Sequence, residues 1–180
     1  DEAMKEVIGT IRKLAPIPSP VLIQGEPGTG KELVAHEIHL QRMIHLNDQV
    51  NERVNQKEYP YLAVNCGALS RTLLESQLFG HKKGAFTGSV ADQDGLFVAA
   101  GKGTLFLDEI TELDMDLQVK LLRALQEKEV TPVGSNRPVP FHARVITATN
   151  RPIQELVQQG KFRGDLFYRI NVINLDIPSL

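Results

Sequence analysis

Val21-Leu22-Ile23-Gln24-Gly25-Glu26-Pro27-Gly28-Thr29-Gly30-Lys31 carries the strongest structural signal in the chain. Val21 to Gln24 is a short apolar run that ends at a glycine, which reads as a buried strand. After it, Leu33, Val34, Ile38 and Met43 recur near helical spacing between Lys31 and Leu46, which reads as a helix. The turn between them is Gly25-x-x-x-x-Gly30-Lys31. Its glycines let the backbone approach a ligand closely. Its amides can point inward around a phosphate, and the helix N-terminus adds partial positive charge. Lys31 is placed to reach the β- and γ-phosphates of a nucleotide. The candidate cradle therefore comprises Gly25, Glu26, Pro27, Gly28, Thr29, Gly30, Lys31, Glu32 and Leu33. Glu32 stands where the general motif has Ser or Thr for magnesium. The competing reading is a plain Gly-Pro turn, which the flanking strand and helix argue against.

Tyr61–Val64, Thr104–Leu107, Arg144–Ala148 and Val172–Leu175 are further apolar strand candidates. Helical segments fall between them. Ser70 is placed to cap a helix running to Leu78. Met115–Glu127 carries Leu117, Leu121, Leu122, Ala124 and Leu125 on one face. Pro152 opens a helix over Ile153–Val157. Strands alternating with helices predict a mainly parallel five-stranded sheet in a three-layer αβα sandwich. Right-handed crossovers then collect Gly25–Lys31, Asn65, Asp108–Glu109 and Asn150 on one sheet edge. The segment from His45 to Glu58 is polar, with Asn47, Asp48, Gln49, Asn51, Asn55 and Gln56, and is either a long surface excursion or a helix extension.

Leu105-Phe106-Leu107-Asp108-Glu109 delivers two acids from a buried strand. Asp108 is placed to hold a magnesium shell, and Glu109 to orient or deprotonate an attacking water. Strands often end in acids, so it is the upstream cradle that gives this pair its meaning. Asn150 ends the fourth strand, where it either contacts the γ-phosphate or water, or simply forms a turn before Arg151-Pro152. Arg163 and Arg169 flank an aromatic-rich helix. Arginine stabilises charge developing on a transferred phosphoryl group, and either one can serve a neighbouring subunit; the plainer reading is a helix with solvated arginines. Gly84-Ala85-Phe86-Thr87-Gly88-Ser89 surrounds one aromatic with small residues. It reads as a mobile loop presenting Phe86 to a partner, or as a loop whose Phe86 packs back.

The bulk composition limits the alternatives. A net charge of -2 gives no global basic field for nucleic acid or anionic membrane. No apolar run is long enough to span a bilayer, and no secretory leader is legible between Asp1 and Lys13. Cys66 is the only cysteine, so no internal disulfide can form and a reducing, cytoplasmic setting is expected. It reads as a small buried apolar residue. The five histidines show no metal-binding spacing. The chain reaches Ile177-Pro178-Ser179-Leu180 just after the fifth strand candidate, and is read as residues 1–180 of a longer protein.

The segment Gly25–Ala35 resembles the P-loop of bacterial enhancer-binding proteins, the AAA+ activators of sigma-54 RNA polymerase. Val64-Asn65-Cys66, Leu74–His81, Gly84–Gly88, Gly103–Ile110 and Asp165–Val172 match the same pattern in order. In that family glutamate usually follows the lysine, so Glu32 is expected. The resemblance implies a P-loop NTPase of the AAA+ fold that binds ATP with Mg2+ and works as a ring, commonly a hexamer. It implies that Lys31 grips phosphate, Asp108 serves magnesium and Glu109 activates water. Asn65 resembles a switch residue pairing with that glutamate, and Asn150 the first sensor. Arg163 and Arg169 resemble arginine fingers acting across a ring interface. The loop from Gly84 to Ser89, with Phe86 and Thr87 foremost, resembles the contact to sigma-54 in the polymerase holoenzyme. Three departures stand out: Ser89 replaces the usual alanine, Leu40–Pro60 is longer than usual, and the helical lid is missing after Pro178. A regulatory domain and a helix-turn-helix for enhancer DNA are likewise expected outside these residues. The expected function is ATP-driven remodelling of the sigma-54 closed complex. The alternative is a nucleotide-gated regulator of the same family that no longer drives sigma-54; a different AAA+ machine is disfavoured by the Gly84–Gly88 loop.

Overall fold

The computed structural model describes residues 2–50 and 53–179. The chain opens with helix α1 (Glu2–Leu14), then strand β1 (Val21–Gln24) and helix α2 (Lys31–Val50). Strand β2 (Tyr61–Asn65) and helices α3 (Arg71–Phe79) and α4 (Leu96–Ala99) follow. Next come β3 (Thr104–Asp108), α5 (Met115–Glu127) and β4 (Arg144–Thr149). The last elements are α6 (Ile153–Gln158), α7 (Gly164–Ile170) and β5 (Ile173–Asp176). Two short antiparallel ribbons pair residues 80–81 with 93–94 and 129–130 with 139–140.

The five strands form one parallel sheet in the order β2-β3-β4-β1-β5. Both faces are covered, so the strands are apolar at successive positions rather than alternating. Period-two geometry sorts their side chains between two cores. Leu22, Leu105, Leu107 and Val145 pack with Leu74, Leu78, Leu117, Leu121, Leu166 and Ile170 on the side of α3, α5 and α7. Val21, Ile23, Phe106, Ile146 and Ala148 pack with Val7, Ile11, Val34 and Ile38 on the side of α1 and α2. This is the expected three-layer sandwich.

Local signals set the helix boundaries. Ser70 caps α3 by accepting the Leu73 N–H, as its position before the apolar run predicts. Asp114 does the same for α5 through Leu117 N–H, at 2.8 Å. The Leu40–Pro60 segment resolves mainly as a helix extension: α2 continues to Val50, and a short 3-10 turn occupies Gln56–Glu58. Of the polar residues read there, Asn51 lies outside the described residues. Helix α1 was not read from the charged N-terminal stretch, although Val7, Ile11 and Leu14 are buried at helical spacing. Buried Arg144 fastens its end, donating from Nη1 to Ala15 O at 2.8 Å and from Nη2 to Leu14 O at 3.1 Å. These are carbonyls a helix C-terminus leaves without intrahelical partners. Burial, with Arg42 nearby, pushes the Arg144 guanidinium down to about 10.

Candidate functional site

The cradle is held from both sides of β1. Gly25 N–H donates to Thr149 O at 3.3 Å, and Ile177 N–H donates to Gln24 O at 2.8 Å. A Cβ on Gly25 would lie 2.8 Å from Thr29 Oγ1 and 3.2 Å from Ile177 Cβ, so glycine is required for the close approach. Gly28 and Gly30 take φ of 77° and 85°, the left-handed region that glycine enters without steric cost. Thr29 Oγ1 donates to Glu26 O at 2.8 Å and closes the turn. Val34 N–H bonds Gly30 O at 3.0 Å and starts the 20-residue α2. Buried Lys31 donates to Gly25 O at 2.9 Å and to Glu26 O at 3.0 Å. Its ammonium is thus satisfied by loop carbonyls rather than by a carboxylate, which keeps the local charge positive beside a helix N-terminus. Glu26, Pro27 and Glu32 are exposed, and Leu33 leaves 75% of its surface open at the first turn of α2.

The acids sit on the same edge. Asn65 and Asp108 are register partners at the ends of β2 and β3. Asp108 Oδ1 accepts the Glu109 N–H at 2.9 Å. Glu109 then adopts φ 54°, ψ 51°, a left-handed conformation that costs a non-glycine residue about 1 kcal/mol. A 3-10 turn over Ile110–Glu112 follows it. Asn65, Gly67, Ala68, Glu109, Glu112, Asn150 and Arg151 line one cleft. Burial raises the Glu109 carboxyl above its ordinary value; the Asp108 and Glu112 charges push the same way, while Lys31 and the Asn150 backbone N–H oppose them. This combination favours a carboxylate with raised proton affinity, as a general base requires. Asn65 Oδ1 accepts Gly67 N–H at 2.8 Å; no hydrogen bond joins Asn65 to Glu109 among the described residues. Asn150 is exposed, and the chain leaves β4 there because Thr149 Oγ1 accepts Arg151 N–H at 3.1 Å.

The two arginines differ. Arg163 grips Asp165 in bidentate fashion, Nε to Oδ1 at 3.0 Å and Nη2 to Oδ2 at 2.8 Å. Arg169 is exposed, and its guanidinium has no ion pair among the described residues. Neither lines the cleft beside Glu109, so this fold does not bring them to the acids of their own chain.

The Gly84–Ser89 loop stands on a fixed base. Lys82 N–H donates to Val133 O, and Val133 N–H donates to Gly80 O, each at 2.9 Å. Phe86 is half-buried, with its ring edge-on to His81 at 5.0 Å and 74°. The expectation of an openly presented aromatic is therefore amended: in this conformation Phe86 packs back. Thr87 and Gly88 are exposed, whereas Ser89 is buried.

Residues 1–176 match the family described as "Sigma-54 interaction domain". The chain belongs to that family. It is 49% identical over 177 residues to the transcriptional regulatory protein GlrR of Escherichia coli, covering 98% of this chain and 37% of that protein. It is 48% identical over 179 residues to a Nif-specific regulatory protein of Herbaspirillum seropedicae, covering 99% of this chain and 31% of that protein. The chain thus spans less than half the length of these curated relatives. The crystal structure of NtrX from Brucella abortus in complex with ATP superposes with a TM-score of 0.84 at 30% identity, covering 100% of this chain and 38% of that one. The parallel sheet and its neighbours establish the P-loop AAA+ fold.

Within this sigma-54 interaction domain, the cleft also holds two charged residues that the sequence does not mark as site residues. Glu112 and Arg151 face each other across it, Nη1 to Oε1 at 3.8 Å. A signal existed for Glu112: it lies three residues after Glu109, a spacing that a 3-10 turn brings onto one side. Arg151 directly follows Asn150, but its position depends on how the chain leaves β4. Cys66 is 3% exposed, and burial beside Asp108 and Glu109 pushes its thiol up to about 12. It is an inert packing residue, as read.

Proposed function

We propose that this domain hydrolyses ATP as a ring oligomer, in which a neighbouring subunit completes each site, and uses the energy to remodel the sigma-54 RNA polymerase closed complex through the Gly84–Ser89 loop. The observation carrying this reading is the convergence of Lys31, Asp108, Glu109 and Asn150 at one sheet edge, with a family-specific loop elsewhere on the same rigid core. Lys31 and the amides of Gly28–Lys31 bind the phosphates. The glycine cradle, where a Cβ at Gly25 would press on Thr29 and Ile177, fits such a ligand. Asp108 would hold Mg2+ through water in its shell, and that ion would neutralise phosphate charge.

Glu109 orients the attacking water and takes its proton, and Asn150 positions that water or the γ-phosphate. Asn65 couples Glu109 to loop movement. Arg163 and Arg169 act on the nucleotide of an adjacent subunit, stabilising charge on the transferred phosphoryl group. Binding of ATP by the NtrX relative supports the nucleotide assignment. The rest of the protein would supply regulation, a helical lid and attachment to enhancer DNA, in the cytoplasm.

The test is open-complex formation by the full-length protein at a sigma-54 promoter. The expected result is dependence on ATP and loss with Thr87→Ala. ATP turnover without any open complex would instead favour a nucleotide-gated regulator that no longer drives sigma-54.

A further inference from the structure

We propose that the Ser89 hydroxyl is a latch: it holds the Phe86 loop folded against His81 and sets how readily the loop is offered to its partner. The second half rests on reading this loop as the sigma-54 contact.

Ser89 is 7% exposed, although Thr87, Gly88 and Val90 around it are all exposed. Its Oγ accepts the Phe86 N–H at 3.1 Å and donates to Phe86 O at 2.7 Å. A hydroxyl can donate and accept at once, and here it uses both capacities on one residue. Backbone bonds complete the ring: Ser89 N–H reaches Phe86 O at 3.1 Å, and Gly84 N–H reaches Ser89 O at 2.9 Å. Gly84 and Gly88, at φ 81° and 94°, supply the left-handed corners that such a tight ring needs. The base beneath is fixed, because His81 Nδ1 bonds Ser76 Oγ of α3 while the His81 ring receives Phe86.

Extending the loop requires Phe86 to leave His81 and its amide and carbonyl to exchange the hydroxyl for water. Alanine at this position keeps the backbone ring and removes both hydroxyl bonds. Two such bonds shift an open-to-closed equilibrium by roughly tenfold. Ser89 is thus a positioning residue that opposes extension and adds to the work nucleotide binding must do. Ser89 lies outside both the cradle and the cleft beside Glu109.

The experiment compares full-length wild type, Ser89→Ala and Ser89→Thr by amide exchange of segment 84–89 and by affinity for purified sigma-54 with a non-hydrolysable ATP analogue. The expected result is about tenfold faster exchange and correspondingly tighter sigma-54 binding in Ser89→Ala, with Ser89→Thr close to wild type. Unchanged exchange in Ser89→Ala overturns the latch. Faster exchange with unchanged or weaker sigma-54 binding overturns its role in setting engagement. Faster exchange with no sigma-54 binding by any of the proteins, wild type included, upholds the latch and overturns the partner assignment instead.

Discussion

Asn65 and Asp108 stand side by side as the last residues of β2 and β3, paired in parallel register. Neighbouring strands lie about 4.8 Å apart, so the pairing fixes the amide and the carboxylate next to each other without any direct bond between them. The next residue, Glu109, turns left-handed and is held there by Asp108 Oδ1. That strained turn brings the Glu109 carboxylate into the cleft that Asn65 also lines. Strain at a site lined by titratable groups is a pointer to function.

Glu109→Gln is expected to leave nucleotide affinity near wild type and to cut ATP turnover by about 10²–10⁴-fold. The substitution keeps the shape and the Asp108 contact to the backbone N–H but removes the base. Steady-state turnover alongside equilibrium nucleotide binding checks it. Undiminished turnover would exclude Glu109 as the water-activating group.

Glu112→Gln should move the acid limb of the turnover profile to lower pH. Glu109 must be ionised to accept a proton, so activity falls as pH drops through its raised pKa, and Glu112 is among the charges that raise it. The stability sign runs the other way. A carboxyl whose folded pKa is raised above its unfolded value gives stability as pH falls toward the unfolded pKa, and this contribution fades as pH rises through the folded pKa. An acid limb that stays in place in Glu112→Gln would mean that Glu109 does not set it.

The sheet and the site edge were legible because they rest on local patterns. Val21–Gln24 was bounded correctly, and β2, β3 and β4 each ran just one residue past the apolar run. In each case the added residue, Asn65, Asp108 or Thr149, is a polar one that pairing carries into the strand and an apolar count omits. The two short ribbons were not legible, because two-residue pairings are made by tertiary contact. The left-handed turn at Glu109 carries no sequence mark, since glycine is the usual signal for it. The Ser89 clasp depends on loop geometry, so composition showed only a small residue.

Under the proposed ring arrangement, Arg169→Ala should abolish turnover while leaving thermal stability nearly unchanged, within about 0.5 kcal/mol, because its guanidinium is exposed and makes no ion pair among the described residues. Arg163→Ala should lower turnover as well but also release Asp165 from its bidentate partner. Mixing Arg169→Ala with Glu109→Gln subunits distinguishes the two geometries. Partial recovery of turnover in mixed rings is expected if the arginine acts across an interface; none would place it within its own subunit.

Gly103→Ala should destabilise the domain more than any exposed substitution. A Cβ at position 103 would lie 1.9 Å from Pro60 O and 2.7 Å from Pro60 N. Those atoms cannot move aside cheaply, because Pro60 O accepts the Thr104 N–H at 2.9 Å and so begins the β2–β3 pairing. Gly103 O also accepts the Arg144 N–H at 2.9 Å and Arg42 Nη1 at 3.3 Å, so a shift there would reach β4 and α2. The expected loss is about 2–4 kcal/mol, a fall in Tm on the order of 5–15 °C for a domain of this size. Gly9→Ala is the matched control: nothing lies within 4 Å of its added Cβ. In the interior of α1 it should gain about 0.5–1 kcal/mol. Thermal unfolding of both variants reads the contrast, and equal Tm values would show that close approach of Pro60 is not what keeps glycine at 103.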